Sequence, residues 1–269
     1  MANNTRPDVF LFAKLTWPEI KKAAEINTIV LVVVGQVEEH GPHLPVDTDC
    51  LIAEMVTLKA CEILKNKGIH ALVLPTVWSA YSEVDVAGFP GTIVVRPIHL
   101  ANLLIDIGES LVRSGFRKIG FVNSHGQNRM AIEMAIREIR DRTKVSGAIF
   151  QFIDPKAQNE ILSSIDIHGG EGETSLYLAI APEYVDMEKA PKEPFMIKGK
   201  RALSAMESKQ CWWTTWSVQK TKSGIFGDAS LASKEKGEAL LKMYANFLAD
   251  MIEEYYNSPF VLPEEHGHS

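Results

Sequence analysis

The sequence predicts a layered α/β fold with a mainly parallel sheet. Apolar runs of strand length alternate with amphipathic patterns of helical period, and the connections between them are short. The first run, residues 28–34, is an unbroken series of β-branched and apolar side chains, as expected for a strand buried on both faces. Alternation of this kind is typical of parallel strands joined by right-handed helical crossovers.

The predicted elements follow one another along most of the chain. Strands are expected at residues 28–34, 71–74, 118–122 and 148–153, and helices at 49–67, 98–114, 127–140, 173–180 and 233–256. The first helix has apolar residues at spacings of three and four and is followed by Gly68. The last has Ser233 as its N-cap. Residues 182–224 lack a clear period, which predicts a lid or an oligomer surface.

Bulk properties narrow the class of protein. With 269 residues, 46% of them hydrophobic, the chain is expected to form a single domain over residues 1–269, with two small domains as the alternative. The net charge is −6 and no run of Lys or Arg exceeds a pair, which argues against nucleic acid as a partner and favours a small polar substrate. Three scattered cysteines suggest a reducing compartment. Without a signal-peptide pattern or a long apolar run, a cytoplasmic protein with no membrane partner is expected.

A first cluster of ligand-type residues follows the first predicted strand. Glu38, His40 and Asp49 lie just beyond its carboxyl end, where open α/β sheets bind ligands. The loop between them contains a glycine and two prolines, so it can fold back and bring these side chains onto one divalent cation. The alternative is that the loop histidines bond to the backbone and the acidic residues form a solvated patch.

Two further clusters support the first. His125 lies in the segment 123–128, directly after another predicted parallel strand, so it should emerge at the same edge of the sheet. The segment 166–175 places His168, Glu171 and Glu173 around a diglycine that allows a close approach of backbone to a ligand. The structural alternative is that these carboxylates stabilise the positive first turn of a helix.

Together the three segments resemble the creatininase family, also called creatinine amidohydrolases. Residues 38–45, followed by Thr48 and Asp49, are close to the family motif Glu-x-His-Gly-x-His-Leu-Pro. Residues 123–128 resemble its Asn-Gly-His-Gly-Gly-Asn motif, and residues 168–175 resemble His-Ala-Gly-Glu-x-Glu-Thr-Ser. Weaker matches at 89–93 and 223–228 extend the likeness from about residue 10 to about residue 250.

The resemblance implies a Rossmann-like three-layer domain with two divalent metal ions, Zn, Mn or Fe. It implies that Glu38, Asp49 and His125 hold one ion, that His40 and Asp49 hold the other, and that Asp49 bridges them. Glu171 is the candidate for the remaining carboxylate ligand. Neighbouring residues of the first motif are expected to support these ligands, namely Glu39, His43 and Asp47.

Two positions depart from the family pattern. Creatininase proper has a glutamate two residues beyond its second-motif histidine, where this chain has Gln127. Residues 82–84 read Ser-Glu-Val, whereas many relatives have histidine in the third place. The first departure favours a substrate other than creatinine, and the second removes a group that often lines the pocket of relatives.

Three functions stay open at the level of the sequence. The resemblance implies a hydrolase in which two cations activate a water that attacks a small cyclic amide or related C–N bond, with His168 as proton shuttle and Glu173 as the runner-up for that role. The alternative enzyme opens an inositol-derived cyclic ketone of the 3-dehydro-scyllo-inosose type by C–C cleavage. The third reading is a non-catalytic metal-binding partner protein that uses its tryptophan-rich region for binding.

The expected partners are a small polar cyclic substrate and further copies of the chain. Family members are ring-like homo-oligomers, often hexamers, so the resemblance implies a homo-oligomer. Trp212, Trp213 and Trp216 could form an aromatic wall over the substrate, or they could pack in the core or at a subunit interface. Trp78 and Tyr81, which follow another predicted strand, leave the same two alternatives.

Overall fold

The structure is a computed structural model that describes residues 10–194 and 221–259. The strands are β1 (Ile29–Val34), β2 (Ala71–Val73), β3 (Lys118–Asn123), β4 (Gly147–Gln151), β5 (Lys192–Glu193) and β6 (Gly227–Asp228). The helices are α1 (Trp17–Glu25), α2 (Thr48–Asn66), α3 (Val84–Ala87), α4 (Pro97–Arg113), α5 (Arg129–Thr143), α6 (Pro155–Gln158), α7 (Glu171–Ile180) and α8 (Lys234–Asn257).

The main sheet consists of four parallel strands in the order β2-β1-β3-β4. Strand β1 lies inside the sheet, and its six residues are fully buried. It pairs with β3 over its whole length, so that Val34 at the end of β1 lies opposite Asn123 at the end of β3. The loops that follow these two strands therefore start side by side at the carboxyl edge of the sheet.

Helices cover both faces of this sheet and produce three layers. Ile29, Leu31 and Val33 of β1 belong to one hydrophobic core, which contains side chains of α2, α7 and α8. The alternate residues of β1 belong to the other core, which contains side chains of α4 and α5. This alternation follows from the two-residue period of a strand. The layered α/β fold predicted from the sequence is confirmed.

The observed elements differ from the predicted ones mainly at their ends. The helix expected at 127–140 is α5, which begins at Arg129 after a 3₁₀ turn at Gly126–Asn128. Helix α7 begins at Glu171, two residues before the predicted start. Helix α1 was not predicted, although its N-terminal signal is in the sequence: the Glu19 carboxylate accepts a hydrogen bond of 2.7 Å from the backbone N–H of Thr16.

Some expectations fall on residues that the structure does not describe. Trp212, Trp213 and Trp216 lie outside the described residues, as does most of the aperiodic segment. Within residues 10–194 and 221–259, no helix combines the length and apolar character needed to cross a bilayer.

Candidate metal centre

The first two motifs meet at the carboxyl edge of the sheet. Glu38 and His40 follow β1, His125 follows β3, and Asp49 lies in the first turn of α2. All four side chains are buried. Because β1 and β3 are neighbours, the predicted convergence of these residues is observed.

Two groups of side chains share Asp49. In the first, the Nδ1 atom of His125 lies 3.1 Å from Glu38 Oε1 and 3.1 Å from Asp49 Oδ2. In the second, the Nε2 atom of His40 lies 3.7 Å from Asp49 Oδ1 and 3.7 Å from Glu173 Oε2. In each group, one ligand atom from every residue lies within 4.8 Å of the others, so the residues are close enough to hold a metal ion together. Asp49 thus presents a different carboxylate oxygen to each group.

His168 forms a third group with Glu38 and His40. Its ring packs against that of His40 with a centroid distance of 4.3 Å. The ring nitrogen Nε2 lies 2.7 Å from the backbone oxygen of Glu39, which can only accept, so Nε2 carries a proton and donates it. The other nitrogen, Nδ1, lies 3.6 Å from Glu38 Oε1. His168 therefore faces the same cluster as the two motif groups.

Three buried atoms at the centre make no hydrogen bond within the described chain: Glu38 Oε1, His40 Nε2 and Asp49 Oδ2. Burial of a polar atom without a partner is costly, and native structures rarely tolerate it unless water or an ion completes the site. Carboxylate and imidazole donors are the ligands that Zn, Mn and Fe accept. The residues present therefore fit divalent metal ions.

Histidine and carboxylate side chains face one another in the cluster and shift each other's pKa values. Burial lowers the pKa of His40, but the carboxylates of Glu173 and Asp49 outweigh this effect and raise it to about 10. Burial likewise lowers the pKa of His125, yet Glu38 and Asp49 hold it well above its usual value. Protonated histidines thus balance buried carboxylates in the metal-free chain, and bound cations would balance them instead.

Three other residues of the first motif, which were expected to support the ligands, make hydrogen bonds around this cluster. The Glu39 carboxylate accepts a hydrogen bond of 2.9 Å from the backbone N–H of Gly41. His43 Nε2 lies 2.8 Å from the hydroxyl oxygen of Thr174 in α7. Asp47 accepts a hydrogen bond of 2.9 Å from the hydroxyl of Tyr177 in the same helix. The contacts of His43 and Asp47 fix α7 against the loop that carries the first motif.

Glu171 does not join the cluster, and the expectation that it supplies the remaining carboxylate is corrected. Its carboxylate is fully buried and accepts hydrogen bonds from the backbone N–H groups of Ser163 and Ser164. It also forms an ion pair of 2.5 Å with Lys236 of α8. Residues two apart on a helix point in nearly opposite directions, so only Glu173 faces His40.

Gln127 also has a structural task. Its side-chain oxygen accepts a hydrogen bond of 2.6 Å from the backbone N–H of Glu83. The side-chain oxygen of the next residue, Asn128, accepts from Tyr81 N at 3.3 Å. Residues 81–83 are thus tied to the second motif by Gln127 and Asn128.

Comparison with known proteins identifies the family. The family model described as creatinine amidohydrolase, or creatininase, matches residues 13–252. The chain is similar to a creatinine amidohydrolase of Pseudomonas putida, with 29% identity over 90% of this chain and 96% of that protein. It is also similar to a mycofactocin precursor peptide peptidase of Mycolicibacterium smegmatis (31% identity, 84% and 85% covered) and to a 3-dehydro-scyllo-inosose hydrolase of Thermotoga maritima (27%, 93% and 86%).

Solved structures show the same relationship. A structure described as creatininase Mn matches with a TM-score of 0.77 and 25% identity over 93% of this chain and 99% of that one. A mutant creatininase described as Zn-Zn type matches equally well, with a TM-score of 0.77 and 26% identity over the same shares of the two chains. With its layered fold, its three motif groups and these matches, the chain belongs to the creatininase family of hydrolases.

Proposed function

We propose that the chain is a binuclear metal-dependent hydrolase that cleaves a small cyclic amide or a related C–N bond. The observation that carries this proposal is the position of Asp49, whose two oxygens face two separate groups of buried ligand atoms. A carboxylate in that position would be shared by both groups if each group held a cation.

The proposed ligands come from all three motifs. Glu38, Asp49 and His125 would hold one ion, and His40, Asp49 and Glu173 would hold the other. When bound, such a pair of ions supplies an activated water at neutral pH and polarises a substrate carbonyl. We therefore assign Glu173 as a metal ligand and not as the second candidate for proton transfer. Its Oε2 atom faces His40 and accepts a hydrogen bond of 2.6 Å from Gly169 N, which orients it.

His168 is the proposed proton shuttle to the leaving group. Its Nε2–H is held by the backbone oxygen of Glu39, which fixes both the tautomer and the plane of the ring. Nδ1 is then the atom that accepts a proton and delivers it, and it faces the cluster beside Glu38. Burial and His40 lower the pKa of His168, but Glu39 and the nearby carboxylates outweigh them and raise it.

A C–C hydrolase is the second candidate. The relative named 3-dehydro-scyllo-inosose hydrolase aligns over 93% of this chain, slightly more than the creatinine amidohydrolase does. The same residues could serve either reaction, because both need an activated water and a polarised carbonyl. Two relatives named as an amidohydrolase and a peptidase favour the C–N bond.

A metal and substrate survey tests the proposal. The purified chain should contain about two divalent ions, lose hydrolysis on treatment with a chelator and regain it with Zn²⁺ or Mn²⁺. Cyclic amides, including creatinine, would be assayed beside cyclic polyol ketones and short peptides. Turnover of cyclic amides alone supports the first candidate, and turnover of ketones alone supports the second. A chain that binds ions but turns over no substrate would favour the non-catalytic alternative, and one that binds no metal would refute the proposal.

Two neighbouring aspartates provide a matched pair of variants. Asp49→Asn removes the proposed bridge and should abolish the binding of both ions and all turnover. Asp47→Asn changes a carboxylate two residues away that bonds to Tyr177 and belongs to none of the described ligand groups, so it should retain both ions. Equal metal content in the two variants would refute the bridging role of Asp49.

The proposal also covers the oligomeric state of the chain and its cellular compartment. We infer a cytoplasmic homo-oligomer, as expected for a member of this family. Exposed apolar side chains near the carboxyl edge of the sheet, namely Trp78, Ile93 and Val94, support self-association. Sedimentation of the purified chain would give the number of subunits, and a monomer at micromolar concentration would refute this part.

A further inference from the structure

A short segment, residues 80–83, contacts the ends of both central strands although it supplies none of the proposed ligands. The backbone N–H of Ala80 donates to Gln36 Oε1 at 2.7 Å. The backbone oxygen of Tyr81 accepts from His125 Nε2 at 2.9 Å. The hydroxyl of Ser82 donates to Glu38 Oε2 at 2.6 Å. Two proposed ligands, Glu38 and His125, are thus oriented by this segment.

The contact between Ser82 and Glu38 makes the two carboxylate oxygens of Glu38 differ in their hydrogen bonding. Oε1 makes no hydrogen bond within the described chain and faces His125 and His168. Oε2 points the other way, and in the part of the chain that the structure describes Ser82 is its hydrogen-bond donor. Ser82 is buried, with 2% of its surface exposed, so bulk water does not compete for this bond. One oxygen is therefore left for an ion while the other is held.

Gln36 determines the direction of this bond. Its Oε1 accepts from Ala80 N, a group that can only donate, so the orientation of the amide is fixed. Its Nε2 consequently faces Ser82 Oγ at 2.5 Å and the backbone oxygen of Ile93 at 3.2 Å. Because an amide N–H can only donate, Ser82 Oγ must accept from it. The single hydroxyl proton of Ser82 is then directed to Glu38.

We infer that Ser82 is a positioning residue, directed by Gln36, that holds Glu38 as a ligand through Oε1 alone. This inference rests on the proposed function, since it takes Glu38 as a metal ligand. Hydrogen bonds of this kind orient a ligand and tune its basicity, and their loss typically lowers metal affinity or activity by about 10- to 100-fold. In the described structure the hydrogen bonds of Ser82 go to Gln36 and Glu38 and not to the group formed by His40, Asp49 and Glu173, so that group should respond much less.

The test compares Ser82→Ala with Ser79→Ala. Ser79 directly precedes this segment, and its hydroxyl donates to the backbone oxygen of Ile93 at 3.3 Å, which is not a proposed ligand. Zn²⁺ dissociation constants would be measured for both sites by competition with a chelator, beside kcat and KM. We expect S82A to weaken the site of Glu38 and His125 by about 10- to 100-fold. S79A should remain within about threefold of the wild type at both sites.

Two more variants keep the inference falsifiable. Ser82→Thr retains the hydroxyl and should restore the affinity that S82A loses, which a purely steric role would not produce. Gln36→Met removes the directing donor, so it should weaken the same site in the wild type but not in the S82A background, as a double-mutant cycle measures. If S82A fails to fold, the comparison of Q36M with wild type decides the matter.

Wild-type affinity in S82A, or in Q36M where S82A does not fold, would overturn the inference. Equal loss at both sites in a folded variant would overturn it as well. Failure of the proposed function looks different, because the wild-type chain itself would then bind no metal. X-ray absorption of the Zn²⁺-loaded protein adds a structural readout: S82A should gain an oxygen neighbour as Glu38 presents both oxygens, and an unchanged spectrum would count against the inference.

Discussion

The two glutamates at the start of α7 provide the sharpest prediction, because the structure gives them opposite roles although only Gly172 separates them. Glu173 faces His40, whereas Glu171 is paired with Lys236. Glu173→Gln should reduce the metal content from about two ions to about one and lower kcat by at least about 100-fold, the upper end of what even a supporting residue contributes. Folding should change little, since a glutamine oxygen can still accept from Gly169 N.

Glu171→Gln should show the reverse pattern. The substitution leaves Lys236, whose side chain is 27% exposed, without its charged partner, and it turns an amide group toward the N–H donors of Ser163 and Ser164. Breaking a buried ion pair costs about 3 kcal/mol, which corresponds to a fall in Tm of about 6 to 12 °C for a chain of this length.

Metal analysis, steady-state kinetics and thermal denaturation of the two variants decide between these roles. We expect opposite patterns: E173Q loses metal but matches the wild-type Tm when both proteins are compared free of metal, while E171Q has a lower Tm and keeps its metal. A full complement of ions in E173Q would refute the assignment of Glu173 as a ligand. A loss of one ion in E171Q, at a temperature where that variant is folded, would restore Glu171 as the ligand.

Three further predictions concern the site and its support. His168→Ala should lower kcat by about 100- to 10,000-fold with little change in metal content, and loss of an ion instead would make His168 a ligand. Since the pKa of His40 is about 10 in the metal-free chain, loading with Zn²⁺ at about pH 7.5 should release a proton, measurable by calorimetry in buffers of different ionisation enthalpy. The part of this release that comes from His40 should fade as the pH rises through about 10, and the absence of any release near neutral pH would contradict the charge balance. Gly237→Ala should destabilise the fold by about 3 kcal/mol or more, because the new Cβ would lie 1.8 Å from the backbone oxygen of Ser175; an unchanged Tm would show that α7 and α8 separate easily.

The central elements of the fold could be predicted because their signals are local. The apolar run of β1 and the helical period of α2 each lie within a single stretch of sequence. The predicted ends of both elements differ from the observed ends by no more than one residue. Helix α1 was missed although Thr16 and Glu19 form a recognisable N-terminal signal.

Some residues of the site could also be predicted from local signals, and others could not. Glu38, His40, Asp49 and His125 could be placed together because parallel strands deliver their loops to one edge. The choice between Glu171 and Glu173 could not be made from spacing, since it depends on Lys236, which is far away in the sequence. Ser82 carries no local signal either, because its partner Glu38 lies 44 residues earlier.

The two halves of the proposed centre are supported by different parts of the molecule. Glu38 and His125 are anchored to adjacent sheet strands, whereas Glu173 belongs to α7, which packs against α8. His168 is fastened to the loop before β6 by paired backbone hydrogen bonds with Phe226. A partial opening that lifts α7 from the sheet would therefore remove Glu173 and leave the strand-borne ligands in place. The binding of the ion held by His40, Asp49 and Glu173 would then depend on the packing of α7 against α8. The exchange rate of that ion would report on the local unfolding of these two helices.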